Sequence, residues 1–145
     1  MFSKACEYGM RAVIYVARQS EKGKKVGVKA IAQAIKSPEA FTGKVMQKLT
    51  KSGIIQSTKG PYGGFFMDKT KVKTVKLSDI IKVFDGKNAY SGCVLGLSNC
   101  SGEQPCPVHF EAEPIINDFT KFVETKTVYD TLYVENKPKK FWLKT

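Results

Sequence analysis

Cys93, Cys100 and Cys106 lie within a stretch of fourteen residues, and His109, the one histidine of the chain, follows three positions after the last of them. Thiolates are soft ligands that suit zinc and iron–sulfur clusters alike. The N-terminus lacks the charged start, apolar stretch and small-residue cleavage site of a secretory leader. Disulfides are therefore not expected, and the cluster reads as a metal or redox site in a cytoplasmic protein. Structural zinc sites commonly use close cysteine pairs of the C-x2-4-C kind. The intervals here are longer, which ranks zinc below iron–sulfur, with uncoordinated redox thiols as a third reading. Three thiolates leave one position of a four-ligand set open. A histidine at a helix start is commonly a surface residue, but beside three thiols His109 becomes a ligand candidate. Cys6, far off in the chain, is expected to be a buried helix residue.

Such a site needs elements to hold it. Residues 87–107 are rich in Gly, Ser and Asn and show no periodicity. A loop that long in a small domain is functional or disordered, and the cysteines favour the first. A helix capped by Ser78 and running to Phe84 leads into it, ended by Gly86. A long helix from about Glu111 to Glu124 follows, with Pro114 tolerable only near its first turn. Ala112, Ile115, Ile116, Phe119, Phe122 and Val123 give it a wide apolar stripe, suited to packing on the first helix or on a second copy of itself. Val128–Val134 reads as a further short helix and Lys137–Thr145 as a basic tail.

The first half of the chain has a different character. Residues 1–75 hold 15 Lys/Arg against 4 Asp/Glu, and residues 76–145 hold 9 of each, so all of the +11 net charge lies in the first half. One basic module joined to a neutral one points to a polyanion partner. Ser3 caps a first helix that ends before Glu21–Lys25, and a short second helix spans Lys29–Ile35 with Ile31, Ala32 and Ile35 inward. Ser37 as N-cap and Pro38 as first residue open a third helix reaching Ser52, stopped by Gly53. Thr42, Val45, Met46 and Leu49 form its inner face, and Lys44, Gln47, Lys48 and Lys51 its outer face. Ile54–Lys59 and Phe65–Met67 then read as two strands about the turn Gly60-Pro61-Tyr62-Gly63-Gly64, with Lys59 and Tyr62 near its tip. A third short strand is expected at Thr74–Leu77. Helix, helix, basic helix and glycine-rich hairpin is the order of a winged helix-turn-helix. Hydrophobic residues make up 42%, enough for a packed core, and no apolar run approaches a membrane span. No phosphate-binding glycine motif, paired carboxylates or Cys–His nucleophile suggests an enzyme.

Tyr8-Gly9-Met10-Arg11-Ala12, Lys48–Ile55, Gly60-Pro61-Tyr62-Gly63-Gly64-Phe65, and Cys93, Cys100, Cys106 with His109 together resemble the IscR/NsrR-type winged-helix regulators of bacteria, in order and over nearly the whole chain. The wing motif is the most specific stretch. Six residues separate the first two cysteines where many members have five, and Gly43 interrupts the third helix. The resemblance implies a homodimer held by the long C-terminal helix, binding to inverted half-sites of double-stranded DNA, and control by an iron–sulfur cluster, 2Fe–2S ahead of 4Fe–4S. It makes His109 the first choice of fourth ligand and Glu7, reaching across the dimer, the rival.

The expectation is thus a mainly α fold with a small β-hairpin wing: a winged helix-turn-helix DNA-binding domain over residues 1–77, then residues 78–145 with the cluster loop (87–107) and dimerisation helix. The function expected is sequence-specific transcription regulation under cluster control. The alternative is a zinc-stabilised or cluster-free interaction module. Lys44, Lys48, Lys51 and Lys59 are expected on phosphates. Ser37, Ala40, Phe41 and Gln47 are expected near base edges and Tyr62 at the wing tip.

Overall fold

The computed structural model describes residues 1–143, so the last two residues of the expected basic tail lie outside the described residues. Helix α1 (Lys4–Glu21) is capped by Ser3, whose Oγ accepts the Cys6 N–H at 3.1 Å. It buries Cys6, Gly9, Ala12, Val13, Val16 and Ala17 along one face. The rest of the fold packs around it. Helix α2 (Val28–Ile35) turns into α3 (Glu39–Lys51) through Lys36 in the left-handed region (φ 54). Ser37 does not cap α3. Pro38 holds the cap position, and the Ser37 hydroxyl instead pairs with Thr42 Oγ1 at 2.7 Å, which satisfies the buried Thr42. Gly53 (φ 80) ends the helix.

Strands β1 (Gln56–Thr58) and β2 (Gly64–Phe66) form the antiparallel wing, in register Gln56↔Phe66, Ser57↔Phe65 and Thr58↔Gly64. Val26 adds a bridge on the far side of Phe65, with N–H···O bonds of 3.0 and 2.7 Å. Gly64 sits at φ 142 with its Cα against the Val26 backbone, where a Cβ would come within 3.0 Å of the carbonyl oxygen.

The strand expected at Thr74–Leu77 is not there. Helix α4 (Lys69–Thr74) precedes the position, and pairing is limited to one bridge, Lys76↔Thr127. The Thr–Val–Lys–Leu alternation mimics a strand, but Val72 and Val75 both point into the core. Helix α5 (Leu77–Phe84) starts one residue before the expected cap. Ser78 is buried inside its first turn, and the Asp79 carboxylate accepts the Lys76 N–H at 2.9 Å in its place. Helix α6 (His109–Thr125) begins two residues earlier than expected, so Pro114 falls in the second turn, where Phe110 loses its i+4 donor. Helix α7 (Val128–Leu132) is closed by a Thr127/Asp130 capping box, and β3 (Tyr133–Val134) pairs with β4 (Lys137–Pro138) in a hairpin not expected from the sequence.

The main core joins Val13, Val16, Ile31, Ile35, Met46, Leu49 and Ile55 to Met67, Val72, Ile80, Val128 and Leu132. It therefore draws on both halves of the chain. A second, smaller core, Cys6, Ile81, Tyr90 and Val123 with Phe2, Phe84 and Phe119 around it, lies under the root of the cysteine loop. Burying each large side chain contributes roughly 1.5–3 kcal/mol. Gly9 lets α1 and α5 meet there: a Cβ would come within 2.7 Å of Phe84 Cζ. Among the described residues, no helix is long and apolar enough to cross a membrane.

Candidate metal centre and DNA-facing surface

The loop is anchored before the first cysteine. Tyr90 is buried in the second core, its hydroxyl donates to Glu124 at 3.2 Å, and its carbonyl accepts from Thr120 Oγ1 at 3.1 Å. Cys93 is thereby held against α6. Gly96 (φ 72) returns its N–H to the Cys93 carbonyl, and a Ser101–Gln104 turn carries the chain back from Cys100. The Cys106 carbonyl accepts the His109 N–H at 3.0 Å, so the last thiol and the imidazole share one tight turn at the start of α6.

The three Sγ atoms all lie within 4.8 Å of one another. Cys93 and Cys106 are 3.8 Å apart, and His109 Nδ1 is 3.2 Å from Cys100 Sγ. They line a cavity of about 150 Å³ with Gly92 and Glu113. His109 Nε2 is buried there without a hydrogen-bond partner, the Glu113 carboxylate standing 3.8 Å away. Backbone N–H donation, from Leu97 first, draws the Cys93 thiol below its ordinary value. The Cys106 backbone pulls Cys100 the same way, but burial and the neighbouring thiols outweigh it and push Cys100 up.

The donor set fits a thiolate-bound metal group: three soft sulfurs, one ring nitrogen facing them, and an orphaned polar atom at the same cavity. The three thiols form one mutual cluster, with His109 Nδ1 beside Cys100. Metal–sulfur bonds of about 2.3 Å at tetrahedral angles set two thiolates on one metal roughly 3.8 Å apart, the Cys93–Cys106 separation. Like His109, Glu7, the rival expected from across a dimer, lies outside the group of three mutually close thiols. It is ion-paired with Lys4 at 3.0 Å, whose hydrogen bond holds its carboxyl below the usual range. Cys6 is fully buried in the second core, where burial first, then Asp85, pushes its thiol up to about 12.

On α3, Ala40, Lys44, Gln47 and Lys51 follow one another at helical spacing along an exposed stripe. Lys48 flanks it, its ammonium 5.8 Å from the Phe84 ring centroid. Gly43 lies beside the stripe with open space where a Cβ would be, so packing within the chain does not explain it. Lys59 is exposed and Tyr62 is 92% exposed at the wing tip. Two of the expected base-edge residues are turned elsewhere. Phe41 is half-buried, edge-on to Tyr8 with ring centroids 5.5 Å apart, and the Ser37 hydroxyl is spent on Thr42. Sequence reasoning missed Tyr90, hidden among loop residues, and Glu113, one turn after His109. The signal for Glu113 was its i+4 spacing.

A helix-turn-helix with an exposed basic helix, followed by a hairpin wing, defines a DNA-binding transcription regulator rather than an enzyme. The family model of Rrf2, "Iron-dependent Transcriptional regulator", matches residues 2–133, and the chain belongs to that family. It is 34% identical over 139 residues, 94% of each chain, to a protein of Aquifex aeolicus (strain VF5) described as "Putative HTH-type transcriptional regulator". Its fold is similar to that of CymR, the global cysteine regulator of B. subtilis (TM-score 0.73, 21% identity, 90% of this chain and 95% of that one). It is also similar to that of T. potens IscR (TM-score 0.69, 21% identity, 91% and 85%).

Proposed function

We propose that this regulator acts as a cytoplasmic homodimer on an inverted-repeat operator, and that an iron–sulfur cluster on Cys93, Cys100, Cys106 and His109 sets its DNA affinity. The observation that carries the cluster reading is the convergence of three thiols within 4.8 Å of one another, with His109 Nδ1 3.2 Å from Cys100 Sγ. Three thiolates with one histidine nitrogen can ligate a 2Fe–2S cluster, the type this reading takes from the family resemblance. When bound, such a cluster supplies a group whose oxidation or loss changes the charge and order of the loop.

The chain's own residues do the rest. The loop ties to α6 through Tyr90, α6 packs on α5 through Ile81 and Val123, and α5 meets α3 beside Lys48 and Phe84. Ordering the loop thus bears on where α3 sits. In this reading residues 1–77 contact DNA, Lys44, Lys51 and Lys59 on phosphates and Ala40 and Gln47 near base edges. Residues 78–145 carry the cluster and the dimer helix. The dimer is supported by Ile115 and Phe122, which α6 leaves exposed on one face.

Thiols within 4.8 Å of one another also suit a single tetrahedral ion, so zinc is the second reading. Anaerobically purified protein separates them. The cluster gives absorbance bands above 300 nm and about two irons and two sulfides per chain, lost in Cys93→Ala, Cys100→Ala and Cys106→Ala. Colourless protein with one zinc establishes the second reading, and metal-free protein with full DNA regulation overturns both.

A further inference from the structure

The family match stops at residue 133, yet the chain beyond it is built into the fold. The hairpin turn places Glu135 and Asn136 at positive φ (48 and 61), and Tyr129 donates to Asn136 Oδ1 at 3.0 Å. Tyr133 donates to Glu21 at 2.9 Å, and the Lys139 ammonium donates to the Asp130 carbonyl at 2.8 Å. The Arg18 guanidinium lies 4.1 Å over the Phe141 ring and donates to the Lys139 carbonyl. These contacts fix the arm on the C-terminal end of α1.

What the arm presents outward is cationic and aromatic. Lys137 and Lys140 are exposed, and Trp142, the one tryptophan of the chain, is 85% exposed beside them. Lys140 and Trp142 line an open groove of about 660 Å³ together with Lys22 and Lys139, and Lys137 stands outside it on the hairpin. The one carboxylate in that groove, Glu21, already accepts the Tyr133 hydroxyl. From Lys22 the exposed Lys24 and Lys25 continue to the wing, where Lys25 donates to Thr58 Oγ1 at 3.1 Å and Val26 pairs with Phe65. Lys22, Lys24 and Lys25 therefore link the arm to the wing along the chain, with Glu21 the acidic residue at the groove end.

We propose that the C-terminal arm is a second DNA-contacting element, in which Lys137 and Lys140 meet backbone phosphates flanking the segment held by α3 and the wing, and Trp142 lies against the duplex. Phosphate is the chemistry that fits. The groups are mainly point-charge ammoniums on an ordered scaffold, Glu135 in the turn being the arm's exposed carboxylate, and no donor–acceptor set is arranged to read a base. The inference rests on α3 and the wing being the DNA face.

The test uses full-length protein and duplexes of two lengths, the selected operator alone and the operator extended by half a helical turn at each end. Neutralising a phosphate contributes about 0.9 to the slope of log K against log salt. Lys137→Ala/Lys140→Ala should lower that slope by about 1.8 per chain and about 3.6 for the dimer, so that between 50 and 200 mM salt the wild-type dimer loses roughly 150-fold more affinity than the variant. Wild-type protein should bind the extended duplex more tightly, the double variant should not, and Trp142 emission should shift only on the longer duplex. Lys44→Ala/Lys51→Ala is the control for the reading beneath it. If that variant loses binding while the arm variant keeps slope, affinity and length preference, the arm proposal is overturned and the α3 reading stands. A chain that binds neither duplex overturns both. Loss of in-cell regulation with unchanged DNA binding would assign the arm to an acidic protein partner and overturn the proposal.

Discussion

Replacing Ile115 by Asp is the sharpest test of the dimer. Ile115 is 70% exposed and Phe122, seven residues on along the same face of α6, is 47% exposed. Full burial of such a side chain is worth about 1.5–3 kcal/mol, and two thirds of that remains to be gained at Ile115. In a two-fold interface each substitution is felt twice, so losing the Ile115 contact costs the dimer about 2–4 kcal/mol. That is a factor of roughly 30 to 800 in the dimer dissociation constant, before the cost of burying two carboxylates is added. Phe119 is a poorer choice, because it stacks on Phe2 with centroids 6.1 Å apart and borders the second core; Phe119→Asp should damage the protomer as well. Sedimentation equilibrium should give monomeric Ile115→Asp protein at concentrations where wild type is dimeric, with a thermal melt and circular dichroism of the protomer preserved. An unchanged dimer constant would refute the assignment of this face to the interface.

Gly9→Ala should destabilise the protein by about 1–3 kcal/mol through overlap with the Phe84 ring, seen as a lower midpoint in urea and partly restored by adding Phe84→Leu. The raised Cys6 thiol, about 12 against an ordinary 9.0, favours the folded state with Cys6 neutral. That contribution is complete below pH 9 and declines as pH rises toward 12, by about 1.4 kcal/mol per pH unit at most. Cys6→Ala should flatten the alkaline limb of a stability–pH curve, and an identical limb would remove the argument. With no metal bound, Cys93 should be alkylated before Cys6 near neutral pH, because only the thiolate reacts and burial withholds it at Cys6; mass spectrometry of partly labelled protein decides the order.

The elements with strong periodicity were legible in the sequence. The spacing of Thr42, Val45, Met46 and Leu49 in α3 matches its buried face, and the Gly60–Gly64 turn marks the wing. The misses have local physical causes. A six-residue helix such as α4 carries too few turns to show a period, and the β-branched Thr74 and Val75 at and after its end imitate a strand. Ser37 and Ser78 had the right chemistry for caps, but each hydroxyl sits where tertiary packing claims it. The second core escaped notice because Cys6, Tyr90 and Val123 are far apart in the chain, and the hairpin beyond Leu132 because its turn uses Glu135-Asn136 rather than a glycine. At the site, the three cysteines were visible as a set. The 3.2 Å approach of His109 to Cys100 depends on the turn at Cys106, which only the folded backbone reveals.

The central claim is that the loop's metal group governs DNA affinity. The direct measurement is a pair of anaerobic titrations of one operator, selected by the protein from random duplexes, using cluster-loaded protein and the Cys93→Ala/Cys100→Ala/Cys106→Ala variant. The two forms should differ in affinity by a factor on the order of 5–150, the range of ordinary coupling between sites, with both dimeric. Equal affinities for the two forms, on this and on other selected duplexes, would contradict it.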